Sequence, residues 1–156
     1  MTIRLRFETF VAASPEQVWT RVSTMPGVNA ELLPMLRMTY PESLSQLDQA
    51  PRELLGKVAF KSWVLLLGLV PVDRHSLCLE ALYPGQGFDE RSSSWSNRVW
   101  IHRRRLTPTA GGTGVEDVLE FEPRVALAAP FLRWFVTRVF RHRHRRLQAH
   151  FGVADA

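Results

Sequence analysis

At 156 residues the chain suits one domain and is too short for two comfortable ones. A hydrophobic fraction of 46% and a charged fraction of 22% exclude wholesale disorder. The net charge of +5 is local, concentrated in Arg98 to Arg105 and Arg133 to Arg146, and with no base-reading motif beside it no nucleic-acid partner is expected.

Ile3 to Ala12 alternates, with Ile3, Leu5, Phe7 and Val11 on one side and Arg4, Arg6 and Glu8 on the other, which predicts a half-buried first strand. The N-terminus has no signal-like apolar run, and Val64 to Val70 is too short to cross a bilayer, so a cytoplasmic location is expected. Ser14-Pro15-Glu16-Gln17 supplies an N-cap, a proline for the first helical position and a glutamine at the third, so a short helix begins there. It presents Val18, Trp19 and Val22 and is expected to stop at Met25-Pro26-Gly27. Val28 to Met38 predicts a second helix broken around Pro34. Tyr40 to Gly56 reads as a connector with one helical turn, long enough to serve as a lid.

From Lys57 the period becomes that of strands: Val58 to Leu67, His75 to Tyr83, Phe88 to Trp95, Asn97 to Leu106 and Val115 to Glu122, an antiparallel meander joined by Gly- and Pro-containing turns. The single cysteine, Cys78, excludes an internal disulfide and fits a reducing compartment. Pro130 to Phe151 has no internal Pro or Gly, a proline at its start and Gly152 beyond its end, and predicts a long closing helix. Phe131, Leu132, Phe135, Val136, Val139, Phe140, Leu147 and Phe151 share one broad arc and should be buried. The same rotation adds His142, Arg143, Arg146 and His150 to that side and turns Arg133, Arg138, Arg141, His144 and Arg145 away. Cations aimed at a buried surface need an acidic or wet partner, because an unpaired buried charge is very costly. The order strand, two short helices, meander, long helix describes one α+β domain over residues 1–156, its sheet curling around the last helix.

Phe10 to Trp19 (Phe-Val-Ala-Ala-Ser-Pro-Glu-Gln-Val-Trp), the meander, Val115 to Pro123 and the closing helix together resemble the SRPBCC superfamily. This is the helix-grip group that includes START lipid-transfer domains, the birch-pollen-allergen (Bet v 1-like) family and polyketide cyclase/dehydrase-like proteins. The run Phe140-Arg-His-Arg-His-Arg-Arg-Leu147 resembles a bacterial cyclase/dehydrase-like branch. The resemblance implies a deep cavity between a curved antiparallel sheet and the long helix, its mouth closed by the two short helices and a loop. It implies binding or transport of a hydrophobic small molecule or lipid without a cofactor, or cyclisation or dehydration of a polyketide-like substrate, and fold alone does not choose.

Alternation puts Asp117 on the face of Val115, Leu119 and Phe121, His102 and Arg104 on the face of Trp100 and Leu106, and His75 with Leu77 and Leu79. Three strands thus aim His75, His102 and Asp117 inward while the helix sends Arg143 and His142 toward them. Asp117 and His102 could form an acid–base pair in a greasy cavity, with Arg143 or Arg104 stabilising an enolate. Equally, these groups could satisfy one another and anchor the helix to the sheet. Trp63, Trp95, Trp100 and Trp134 could wall a flat ligand or simply fill the core. The expected ligand-binding set is Trp63, His75, Trp100, Arg104, Phe135, Val139, His142 and Arg143. His142 and His144 are two apart, on different helix faces, so no metal site is expected. Exposed Arg138, Arg141 and Arg145 could touch anionic lipid headgroups transiently or stay solvated.

Overall fold

The alternation that opens the chain forms β1 (Ile3–Val11), with the inward residues Ile3 and Val11 buried, and it lies on an antiparallel sheet rather than leading into one. A computed structural model describes all of residues 1–156. After β1 come α1 (Pro15–Val22), α2 (Met25–Leu32) and β2 (Leu36–Met38), then 3₁₀ turns, then β3 (Val58–Leu66), β4 (Val70–Tyr83), β5 (Gly87–Ser94), β6 (Asn97–Thr109), β7 (Gly112–Pro123) and α3 (Ala129–Phe151). The seven strands run in the order β1-β7-β6-β5-β4-β3-β2, every neighbour antiparallel, and α3 lies in the hollow of the curled sheet. This is an α+β helix-grip architecture.

α1 starts as its sequence dictates: the Ser14 hydroxyl accepts from the Gln17 N–H and the Gln17 side chain accepts from the Ser14 N–H. Met25-Pro26-Gly27 does more than stop it. The Thr24 side chain caps the Gly27 N–H and Pro26 sits in the first turn, so these residues begin α2. Gly27 is required because a side chain there would run into the Arg21 carbonyl oxygen. The broken helix expected over Val28 to Met38 is corrected as well. α2 ends at Leu32, before the cis Leu33–Pro34 bond, and Leu36–Met38 pairs with β3 as a strand. The Asn29 amide supports this by donating to the Met38 carbonyl at 2.9 Å and accepting from the Met38 N–H at 2.8 Å, as a neighbouring strand would.

The 40–56 connector holds three 3₁₀ turns and is fastened to the two short helices. Met25 N–H donates to the Ser45 carbonyl, Leu47 N–H donates to the Ser23 carbonyl, and Leu47 is buried. Strands β6 and β7 run further than their apolar cores suggested and leave only Ala110-Gly111 between them, the short link a tight hairpin favours.

Three apolar clusters hold the layers together. Val11, Val18, Trp19, Val22, Leu106, Val115 and Leu147 cement α1 and the C-terminal half of α3 to the sheet. Ile3, Leu119, Phe121, Val136, Val139 and Phe140 belong to the cluster under the N-terminal half of α3, and Met25, Leu47, Phe60, Leu77 and Leu79 form the third, toward β3 and β4. Several expectations for α3 change. Arg146 and His150, placed on the buried side by rotation, are exposed because that edge of the helix runs past the sheet toward α2, where Arg146 donates only to the Ala30 carbonyl at 3.0 Å. Phe131 is 59% exposed because it lies at the rim of the sheet, and His144 is buried because β1 reaches round that side of the helix and sets Phe7 against its ring. Beyond Gly152 the chain turns back on β1: Ala12 N–H donates to the Gly152 carbonyl, Ala154 N–H donates to the Phe10 carbonyl, and Val153 bridges to Val11.

Candidate functional site

Inward alternation on β6 and β7 brings His102, Arg104 and Asp117 together under α3. Arg104, only 1% exposed, clasps Asp117 through Nε and Nη2, each at 2.7 Å, and turns Nη1 and Nη2 to the two oxygens of Glu31 at 3.0 and 2.9 Å. Arg143 from α3 donates to Glu31 at 3.1 Å, and His144 lies 2.8 Å from the second Asp117 oxygen. His102 places Nε2 at 2.7 Å from Asp117 and Nδ1 at 3.6 Å from Glu90 on β5. Glu90 in turn stands 2.6 Å from His75 Nε2 and accepts from the Ser92 hydroxyl at 2.7 Å. The result is one continuous row of charged and imidazole groups from α2 across β7, β6 and β5 to β4.

Burial acts against every charge in this row, and the partners overcome it. For Asp117 burial would raise the pKa, but Arg104 and then His102 hold it well below the ordinary carboxylate range. For Glu31 burial is outweighed by Arg104 and Arg143, and for Glu90 by hydrogen bonds from His102 and His75, so both also lie below their usual value. Burial disfavours the Arg104 cation, yet Asp117 and Glu31 push its pKa above the ordinary one. All three carboxylates are therefore ionised acceptors at neutral pH.

Beside the row lies a cavity of about 350 Å³ between the N-terminal half of α3, α2 and strands β2 to β6, and twenty of its 28 lining residues are hydrophobic. The polar members are Asp73, His75, Glu90, Ser94, Ser96, Asn97, His102 and Arg143. Asn97 is 5% exposed and its buried Oδ1 has no hydrogen-bond partner. Phe131 and Val72 line the cavity and are also exposed, so they mark its mouth. Trp134 stands exposed beside Phe131, with the Arg138 guanidinium 6.0 Å from its ring.

Of the residues expected to meet a ligand, His75, Trp100, Phe135, Val139 and Arg143 line the cavity, as does His102. Trp63, Arg104, His142 and Asp117 do not. Val64 and Leu66 face the cavity, so the pleat turns Trp63 outward, where it packs edge-on against Trp95 and beneath Arg74. His142 donates to the Leu33 carbonyl at 2.8 Å, while Arg104 and Asp117 are sealed behind the wall by their own partners.

Sequence reasoning missed Glu31 and Glu90. Glu31 is the acidic partner that the inward cations of α3 demanded, the one charged residue of α2. Glu90 follows from the alternation of Glu90, Ser92 and Ser94 on one face of β5, all three buried. No three His, Cys, Asp or Glu side chains converge as a metal ion would need, and no helix is long and apolar enough to cross a membrane.

The sequence matches, over residues 9–151, a family described as a domain of unknown function, DUF8410. The chain belongs to this family. No curated protein matches this DUF8410 sequence. Among solved structures, it is similar to protein CV1439 from Chromobacterium violaceum, with a TM-score of 0.67 and 19% identity over 98% of this chain and 99% of that one. A START superfamily protein from Mycobacterium smegmatis superposes with a TM-score of 0.62 and 11% identity, covering 96% of each chain. Ara h 8.0201 gives 0.60 and 10%, covering 96% of this chain and 99% of its own. These likenesses carry the fold alone, which is the helix-grip fold.

Proposed function

We propose that the protein binds a hydrophobic small molecule or lipid in the cavity between the sheet and α3. The observation that carries this reading is the cavity itself, about 350 Å³ of space faced mainly by hydrocarbon in a fold whose members bind hydrophobic small molecules. Its volume falls in the range of about 300 to 1,000 Å³ usual for small-molecule sites. Each methylene moved from water into such a site is worth about 0.8 kcal/mol, and a few polar groups suffice to orient the ligand. Asn97, Ser94, Ser96 and Asp73 supply such groups on one wall, and His75 and Arg143 supply others.

Native mass spectrometry of protein purified from its own host should show a retained apolar ligand. Anilinonaphthalene sulfonate should fluoresce with the empty protein and be displaced by fatty acids. Val139→Trp, which fills the space from α3, should abolish uptake. Absence of any retained molecule, together with no dye uptake by the wild type, removes the reading.

The exposed apolar mouth favours a companion reading, transient contact with an anionic membrane during ligand exchange. Phe131 and Trp134 project at the opening, and Arg138, Arg141 and Arg145 are exposed along the outer side of α3. Binding to vesicles containing anionic lipid, weakened by salt and by Arg138→Glu, supports it. Equal binding to neutral vesicles excludes the role given to the arginines.

A further inference from the structure

We infer that His75, positioned by Glu90, is a general base on the cavity wall that can take a proton from an acidic C–H of an apolar carbonyl compound. This rests on the cavity reading and adds a reaction to it. A catalytic role for Asp117 with His102 would require Asp117 to meet the substrate, and it is fully buried behind the wall. His75 does reach the cavity. Its Nε2 lies 2.6 Å from the ionised Glu90 carboxylate, which can only accept, so Nε2 carries the shared proton and Nδ1 is the nitrogen left to act as the base. Nδ1 makes no hydrogen bond within the protein.

The other ionisable groups on the wall are already engaged. Glu90 serves His75, Ser92 and His102, whose two ring nitrogens each face a carboxylate. Asp73 accepts from the Arg74 and Ser96 N–H groups and from the Ser96 hydroxyl. His75 is thus the imidazole with an available lone pair, and Trp100 stands edge-on to its ring at 6.2 Å. Arg143, the one guanidinium on the wall, gives its Nε to Glu31 at 3.1 Å, and its Nη groups, which make no hydrogen bond within the protein, are the donors left for an oxyanion.

The step balances without any co-reactant. Nδ1 takes the proton, the C–H bond breaks, and its electron pair forms the enolate double bond as the carbonyl pair moves onto oxygen. Where a β-hydroxyl is present, the enolate pair returns to form the alkene, the C–O bond breaks, and the imidazolium proton leaves with the hydroxyl as water.

Nitrobenzisoxazole tests the base directly, since removal of its ring C–H proton breaks the N–O bond and releases a coloured cyanonitrophenolate with no other reagent. The wild type should convert it about a hundredfold faster than imidazole at equal concentration. His75→Gln keeps an amide donor toward Glu90 and should return the rate to background while dye uptake and the melting midpoint are retained. Glu90→Gln should lower kcat severalfold with little change in KM, a split that a purely structural pair would not produce. A wild-type rate no greater than that of imidazole, or an unchanged rate in His75→Gln, overturns the proposal. Dye uptake measured in the same samples decides whether only the base fails or the cavity reading fails with it.

Discussion

The two halves of α3 face the same curled sheet through opposite physics. From Phe131 to Phe140 the helix looks across vacant apolar space, held by dispersion and by the burial of Val136, Val139 and Phe140. From Arg143 onward it is fastened by Arg143 to Glu31, by His144 to Asp117 and by Leu147 packed against Val11 and Val115. Apolar contact has no direction and tolerates space beside it, whereas buried ion pairs hold only when geometry and partners are complete. The ionic half can thus fix the helix so that the apolar half need not fill the interior.

The most damaging break in this contrast is Arg104→Met, which leaves Glu31 and Asp117 buried without the cation between them. It should cost about 3–5 kcal/mol in denaturant unfolding. A loss below about 1 kcal/mol would show that the row does not fasten the helix.

Acid should weaken the same half. The folded pKa values of Asp117, Glu31 and Glu90 lie below the ordinary 3.8 and 4.5. Their contribution is therefore complete above those ordinary values and fades as pH falls through them toward the lower folded ones. Urea midpoints should hold from neutrality to about pH 5 and drop toward about pH 3, and a flat profile would contradict the assignment. The apolar half can be sharpened by a paired comparison: Leu119→Ala, in fully buried packing, should cost about 2–5 kcal/mol, and half-buried Phe135→Ala beside the cavity less than about 2. The smallest effect belongs to Trp134→Ala, within about 0.5 kcal/mol in stability but with severalfold weaker vesicle binding.

Much of this was legible in the residues. Period-two alternation named the inward members of β1, β6 and β7, and Ser14 with Gln17 announced α1. The inward cations of α3 required an acidic partner even though Glu31 was not singled out. What escaped was set by tertiary context. Pro26 and Gly27 read equally as a stop and as a start, and only Thr24 capping with the close approach to Arg21 decides. Leu36–Met38 is too short for a strand period to declare itself, and the Asn29 amide and β3 make it one. His144 lies outside the apolar arc of an isolated helix and is buried because the sheet wraps further round than one stripe. The cavity wall could not be separated from the layer behind it, since Asp117 and His102 both point inward and only depth distinguishes them.

The open ends of the sheet have a consequence for self-association. A half-barrel that does not close offers two rows of free backbone groups to any similar chain. Here one row belongs to β2, only three residues long, and beyond it to Val58 to Ser62 of β3, which carries the exposed Lys61; the other belongs to β1, whose last residues already bond to Gly152 and Ala154 and whose outer face carries Arg4, Arg6 and Glu8. Neither row offers a long, neutral template for adding strands from another copy, so concentration alone should not drive this molecule toward fibrils.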